Sequence, residues 1–87
     1  MDVGAAIRER LAALDPQSIE LLDESDSHAG HAGARAGGGH FRLTVVSRRF
    51  AGRDKLARHR MIYAALAPLM QREIHALAIN ALAPDEL

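Results

Sequence analysis

A glycine-rich segment, residues 26–39, divides the chain and limits how its two parts can pack. It reads DSHAGHAGARAGGG, holds five of the seven glycines and has no side chain larger than His or Arg. Such a segment cannot bury enough apolar surface to offset the entropy lost on ordering, so we expect a flexible loop. The short apolar segments on either side, residues 18–25 and 40–47, are therefore joined by a long and pliable connection.

Both flanking segments show the two-residue periodicity of β-strands. Residues 40–47 place three apolar side chains on one face, namely Phe41, Leu43 and Val45. In residues 18–25, Ile19 and Leu21 share one face, whereas Leu22 breaks the alternation and suggests partial cover on both faces. Two strands joined in this way predict an antiparallel hairpin.

A helix is predicted before the hairpin, over residues 4–14. Its apolar residues recur at helical spacing, at Ile7, Leu11 and Leu14. Asp15-Pro16 ends it, because the residue before a proline is pushed out of the α region.

A second helix is predicted from about Asp54, after a turn over residues 48–53. Its apolar positions are Ile62, Leu66, Leu69 and Met70. Pro68 removes a backbone hydrogen bond, so we expect a kink or an early end near Ala67.

Residues 74–80, IHALAIN, predict a third strand, and residues 83–86 a final turn. Simple alternation places Ile74, Ala76 and Ala78 on one face and His75, Leu77 and Ile79 on the other. The order of elements is therefore α, β, β, α, β.

The length of 87 residues suits one domain, residues 1–87, with helices packed on one sheet. The absence of Cys excludes a disulfide scaffold, a Cys-based zinc site, a Cys nucleophile and a self-sufficient iron–sulfur site. No apolar run approaches the ~20 residues needed to cross a bilayer. No secretory leader is visible, so we expect a cytoplasmic protein without a membrane partner.

The charges balance in number but not in position. The chain has 11 basic and 11 acidic residues, yet residues 42–60 hold seven basic residues and one acid, Asp54. Opposite charges that pair across the fold would explain this pattern, and so would a basic face for phosphate or an acidic partner. The candidates for such a face are Arg49, Arg53, Lys55, Arg58, His59 and Arg60.

The five histidines form a second group of candidates, because neutral imidazole is a good ligand for iron. His75 begins an apolar strand, where a half-buried structural role is the simpler interpretation. His28 and His31 lie three residues apart in the glycine-rich segment, and that spacing alone defines no ligand geometry. His40 and His59 have structural interpretations as well, with a minor metal role left open for His40.

No combination of nucleophile, base and orienting group is evident, so we expect that the chain is not an enzyme. Asp23 and Glu24, for example, are adjacent and would point to opposite faces of a strand.

A spaced set of short motifs resembles the signature of the BolA family. The motifs are His40-Phe41, Val46-Ser47, Phe50 with Gly52, Arg58-His59-Arg60 with Tyr63, and Ile74-His75-Ala76-Leu77. The match covers nearly the whole chain, and the set is far more specific than any single motif. The resemblance implies an α+β fold, an αββαβ two-layer sandwich related to the KH type II fold. In this fold helices cover one face of a three-stranded mixed sheet.

The resemblance also implies a function. Family members partner monothiol (CGFS-type) glutaredoxins and share a [2Fe-2S] cluster with them. The glutaredoxin and glutathione supply thiolates, and this chain would supply His75 together with His28, or His31 as the runner-up. The isolated chain would then hold no cofactor. Such a protein acts in iron–sulfur trafficking or in iron and stress regulation.

Two other functions stay open. The family is also described as transcriptional regulators, which implies KH-like DNA binding through the basic residues 48–60. An interaction module without any cofactor is the third interpretation, and it would bind its partner whether or not iron is present.

Two positions depart from the family pattern. Pro68 stands where polar residues are usual, which predicts altered helix geometry. Gly39 stands where many members have Thr, which predicts a looser start of the second strand.

Overall fold

The computed structural model describes residues 2–25 and 38–87, and the elements follow the predicted order. They are helix α1 (Val3–Leu11), strand β1 (Ser18–Asp23), strand β2 (Gly39–Val46), helix α2 (Lys55–Leu66) and strand β3 (Ile74–Leu82). Short 3-10 helices lie at Ala12–Leu14, Arg48–Phe50, Ala67–Leu69 and Pro84–Glu86. Most of the predicted loop, residues 26–37, lies outside the described residues.

The three strands form one mixed sheet in the order β1-β2-β3. β1 runs antiparallel to β2, from the pair Ser18↔Val46 to the pair Asp23↔Phe41, which confirms the predicted pairing of the hairpin strands. β3 runs parallel to β2, and parallel neighbours need a long crossover, which contains α2. With both helices packed on one core face, this architecture confirms the predicted α+β fold class.

The core lies between that face of the sheet and the two helices. β2 contributes Phe41, Leu43 and Val45, as its alternation predicted, and each is at most 5% exposed. The helices contribute four fully buried side chains, Ile7, Leu11, Ile62 and Leu66. Burial of one such side chain is worth about 1.5–3 kcal/mol, so this layer supplies the main driving force for folding.

Both helices begin and end where the sequence predicts, to within a few residues. Asp2 caps α1 by accepting a hydrogen bond from the Ala5 amide (3.1 Å), and Asp54 caps α2 in the same way. α2 ends at Leu66, and Pro68 lies in the 3-10 helix that follows, which confirms the predicted early end. In the described part of the chain neither helix is long and apolar enough to cross a bilayer.

The pairing of β2 with β3 contains one irregularity. Gly39 pairs with Ile74, but the next residue of β2, His40, pairs with Ala76. The residue left over is His75, so β3 has a β-bulge there. Its side chain is exposed.

This bulge overturns the predicted faces of β3. Alternation grouped Ile74 with Ala76 and Ala78, but Ile74 is 2% exposed and lies in the core. Leu77 and Ile79 pack against that same core, whereas Ala76 and Ala78 are exposed. The prediction was wrong because the extra residue breaks the two-residue period at the start of the strand.

Two smaller expectations also change. Leu22 is 47% exposed, so the partial cover predicted on both faces of β1 is wrong, since the helices cover one face only. Gly39 belongs to β2 rather than to the loop, and its amide donates a hydrogen bond to the Glu73 carbonyl oxygen (2.9 Å).

Ser47 connects three elements at the end of β2. Its fully buried hydroxyl donates to the Leu14 carbonyl oxygen (2.6 Å) and accepts from the Arg49 amide (3.1 Å). Its own amide donates to the carbonyl oxygen of Leu82 in β3 (2.9 Å). The side chain therefore satisfies buried backbone groups at the end of the first helical segment and in the following turn.

Replacing Ser47 by Ala is expected to destabilise the protein by about 1–3 kcal/mol, because the Leu14 carbonyl oxygen loses its donor in a buried position. Urea denaturation measures the difference in the free energy of unfolding. Ser18→Ala, at an exposed position of β1, is the matched control and should change stability by less than about 0.5 kcal/mol. Equal effects of the two substitutions would contradict this role of Ser47.

Candidate functional site

Two imidazoles meet where β2 and β3 begin. His75, at the bulge, has an exposed side chain, and His40 on β2 is half-buried. Their ring centroids lie 5.1 Å apart, with the ring planes inclined by 45°. The bulge therefore presents His75 outside the core and beside a second histidine.

The backbone at Gly38 approaches His75 closely. A Cβ atom at Gly38 would lie 2.9 Å from the Cβ of His75 and 2.9 Å from the carbonyl oxygen of Arg72. Gly38 also has a φ of +86°, a conformation that L side chains rarely adopt. Only glycine suits this position, so the end of the glycine-rich segment is part of the site.

The described residues on either side of segment 26–37, Ser25 and Gly38, adjoin this histidine pair. On one side, the Ser25 hydroxyl accepts a hydrogen bond from the His40 amide (3.1 Å). On the other side, Gly38 packs against His75. Ser25 donates hydrogen bonds to the Asp23 carboxylate, and these bonds order the turn after β1. They also lower the pKa of Asp23.

The predicted loop ligands, His28 and His31, lie in that segment and outside the described residues. Within residues 2–25 and 38–87, no three His, Cys, Asp or Glu side chains come together as a metal site. At this position the described part of the chain thus offers two imidazoles, fewer than the four ligands that a zinc ion or a whole [2Fe-2S] cluster usually takes. Any such site needs further ligands.

Sequence reasoning did not place His40 beside His75. Both residues belong to the recognised motifs, but their contact depends on the parallel register of β2 and β3 and on the bulge. Neither is visible in the local pattern of residues.

The basic residues of segment 42–60 do not form a single open surface. On the uncovered face of the sheet, Arg42 of β2 pairs with Glu24 (3.4 Å). In the turn after β2, Arg48 pairs with Asp15 (3.2 Å). These exposed pairs agree with the first interpretation of the charge pattern, in which opposite charges pair across the fold.

Arg58, one of the candidates for phosphate contact, is committed to the fold. Its guanidinium makes a bidentate pair with Glu86, with Nη2 and Oε2 2.9 Å apart, and its side chain is 11% exposed. Nη1 also donates to the carbonyl oxygen of Ala81 in β3 (3.0 Å), and Nε donates to that of Arg53 (2.9 Å). Arg58 therefore ties α2 to β3 and to the last turn.

The same pair shifts two pKa values. The hydrogen bond from Arg58, with a second one from the Ala83 amide, lowers the pKa of Glu86 to about 2. The bond to Glu86 in turn raises the pKa of Arg58. Glu86 is thus held ionised where the chain turns after β3.

Some of the other basic candidates bind backbone carbonyl oxygens of the fold, and others lie on the surface. Arg49 donates to the Ala13 carbonyl oxygen (2.7 Å), and Arg53 Nε donates to that of Arg49 (3.1 Å). Arg53, Lys55 and His59 line a shallow depression of about 440 Å³ beside β3. Arg60 is exposed on α2.

Comparisons with known proteins agree with this fold. The family model described as "BolA-like protein" matches residues 11–86. The chain is 48% identical over 85 residues to "BolA-like protein 1" from Homo sapiens, covering 97% of this chain and 60% of that protein. It therefore spans less than two thirds of that curated relative.

Two further similarities are informative. The chain is 43% identical over 81 residues to the "DNA-binding transcriptional regulator BolA" of Escherichia coli (strain K12), covering 92% of this chain and 74% of that protein. The solved structure of the "BolA domain of SufE1 from Arabidopsis thaliana" superposes with a TM-score of 0.86 at 41% identity, covering 100% of this chain and 98% of that one.

A left-handed conformation costs a non-glycine residue about 1–2 kcal/mol. Gly38→Ala is expected to destabilise the chain by more than this, since the added Cβ also meets His75 and Arg72. Gly52→Ala is the matched control, because Gly52 has a φ of +75° with nothing within 4 Å of the added Cβ. Urea denaturation gives the stabilities, and NMR reports the ring shifts of His75. Equal costs, with unmoved His75 shifts in both variants, would contradict the close packing.

Glu86→Gln is expected to reduce stability at neutral pH and to remove part of its dependence on acid. The pKa of Glu86 falls from its ordinary 4.5 to about 2 in the folded chain. Its stabilisation is therefore complete above about pH 4.5 and disappears as the pH falls towards 2.

Urea denaturation from pH 7 to pH 2 should show the difference between the wild type and Glu86→Gln shrinking within that window. Asp85→Asn, a change at the exposed neighbouring residue, should have the smaller effect at pH 7. A difference that stays constant down to pH 2 would exclude this role for the carboxylate.

Proposed function

This chain belongs to the BolA-like protein family, and from that premise we propose that it binds a monothiol glutaredoxin and shares a glutathione-ligated [2Fe-2S] cluster with it. The cluster is the shared cargo of the pair. The chain would act in iron–sulfur trafficking or in iron and stress regulation.

The exposure of His75 at the bulge is the observation that supports this proposal most. A structural histidine on an apolar strand is expected to be buried or hydrogen-bonded within the fold. His75 instead stands outside the core, next to His40, on a strand whose first residue, Ile74, is anchored in the core. A ligand held by a rigid strand is well positioned for a metal centre on a partner.

The donor set fits a shared cluster rather than one bound by this chain alone. A [2Fe-2S] cluster is usually held by four thiolates, two on each iron, and this chain has no Cys. Its imidazoles suit iron as neutral ligands, so the thiolates must come from the glutaredoxin and glutathione. Replacing thiolates by imidazoles removes negative charge and raises the reduction potential, as in Rieske centres.

His28 is the proposed second ligand from this chain. It follows Ser25 by three residues, which extend over at most about 10 Å. Because Ser25 adjoins His40, His28 has enough chain to reach the neighbourhood of His75. His31 is three residues further on and is the runner-up.

We expect His75→Ala to abolish the visible circular dichroism of the cluster-bridged heterodimer and His28→Ala to weaken it. The measurement adds each variant to a cluster-loaded monothiol glutaredoxin in the presence of glutathione. His59→Ala, which removes an imidazole from α2, is the control and should leave the spectrum unchanged.

Three results would contradict the proposal. An unchanged spectrum with His75→Ala would exclude it as a ligand. No spectral change with the wild-type chain would exclude cluster sharing altogether. Glutaredoxin binding that is indifferent to the cluster would favour an interaction module without a cofactor.

DNA binding is the alternative function, favoured by the similarity to a relative named as a DNA-binding regulator. Lys55 in the depression beside β3 and the exposed Arg60 on α2 offer cations to phosphates. Arg58 is engaged with Glu86, so Lys55 and Arg60 are the better test positions.

If DNA is bound there, the Lys55→Ala, Arg60→Ala double variant should weaken binding uniformly across sequences and reduce the salt slope of log K by about 2. Fluorescence anisotropy at several salt concentrations measures both quantities. Arg10→Ala, on α1, is the control for loss of a basic surface residue. An affinity for DNA that is unchanged by the double substitution would exclude DNA binding at this surface.

A further inference from the structure

Strand β3 has an outer edge that the proposed cluster site does not use. In the described part of the chain, β3 has a single strand neighbour, β2. The Leu82 carbonyl oxygen accepts a hydrogen bond from the Ser47 amide, which follows β2 (2.9 Å), whereas the Ala81 carbonyl oxygen accepts from Arg58 Nη1 (3.0 Å). The two carbonyl groups therefore point to opposite edges of β3, and that of Ala81 points outward.

Side chains satisfy only the last part of this outer edge. Arg58 binds the carbonyl oxygen of Ala81, and Glu86 Oε1 accepts from the Ala83 amide (2.7 Å). Both contacts lie at the end of β3, so an added strand could not pair beyond Ala81.

The edge before Ala81 has the character of an open pairing site. Because backbone groups alternate in direction along a strand, the N–H and C=O groups of Leu77 and Ile79 point outward as well. Residues 77–80, LAIN, include neither a charge nor a proline, the features that usually protect an exposed edge from pairing. This part of β3 can therefore accept a further strand.

A depression of about 440 Å³, lined by residues of this edge and of α2, is positively charged. Ile79 lines it from β3, and Lys55 and His59 line it from α2. Arg53 adds a second exposed cation, while the carboxylate of Glu86 is already held in an ion pair with α2. The depression therefore favours negative side chains next to an added strand.

A peptide matches this edge better than a nucleic acid does. The outward groups alternate between N–H donors and C=O acceptors, which is the pattern that another peptide backbone complements. A phosphate backbone supplies acceptors but no donors, so the carbonyl groups of the edge would gain no partner from it.

We propose that residues 77–80 of β3 bind an extended acidic segment of a partner protein as an added strand, with acidic side chains of that segment against Lys55 and Arg53. The ion pair between Arg58 and Glu86 sets the end of the pairing. The site uses none of the cluster ligands, so the two proposals succeed or fail separately.

NMR titration of the ¹⁵N-labelled chain with a heptapeptide of alternating Glu and Val tests the site. We expect saturable shifts at the amides of Leu77, Ile79 and Ala81. Two further peptides are N-methylated, each on one alternate set of amides. Methylation of the set that faces β3 should abolish binding, and methylation of the other set should preserve it.

Lys55→Glu should weaken peptide binding at least about threefold, because it reverses a charge in the depression. Arg60→Glu is the matched control, since it makes the same change of charge at an exposed position of α2 outside the depression. It should bind the peptide as the wild type does. A heptapeptide of alternating Lys and Val should not bind.

Absence of saturable shifts at residues 77–81 would overturn the proposal. Binding that survives N-methylation of either set would also overturn it, because attraction between charges would then explain the shifts. Shifts of the same amides with a DNA duplex but not with the peptide would show a nucleic-acid site instead. Shifts of these amides on dilution of the chain alone would show that the edge pairs with a second copy.

Discussion

The parallel pairing of β2 with β3 is the constraint on which the rest of the structure depends. It joins strands that are separated by α2, from His40↔Ala76 to Val46↔Leu82. Closing so long a connection costs entropy, which the apolar face of β2 must offset by burial. A slip by one residue would turn Phe41, Leu43 and Val45 away from the helices, so the register is strongly specified.

That register gives the two ends of β3 different roles. At the start, the bulge places His75 outside the core and beside His40. At the other end, Arg58 binds the Ala81 carbonyl oxygen and Glu86, which fastens the last turn to α2. Two imidazoles thus lie at the start of β3, whereas an ion pair fixes the chain after its end.

How much could be predicted from the sequence depended on the range of the interaction. Local rules were sufficient for the alternation of β2, for the end of α2 near Pro68 and for the hairpin pairing. The bulge at His75 was missed, because it arises from pairing with a strand about 35 residues earlier and not from its own neighbours. The role of Arg58 was missed because Glu86 lies 28 residues away. The recognised motifs made His75 a candidate ligand but could not show that His40 adjoins it.

We propose that this chain contributes an imidazole to the iron of a shared cluster. Pulsed EPR tests it directly on the reduced heterodimer, assembled from a chain labelled with ¹⁵N-histidine and an unlabelled glutaredoxin with glutathione. We predict ¹⁵N hyperfine coupling to the cluster, which His75→Ala reduces or abolishes. A reduced cluster in the same heterodimer without any ¹⁵N coupling would contradict the claim.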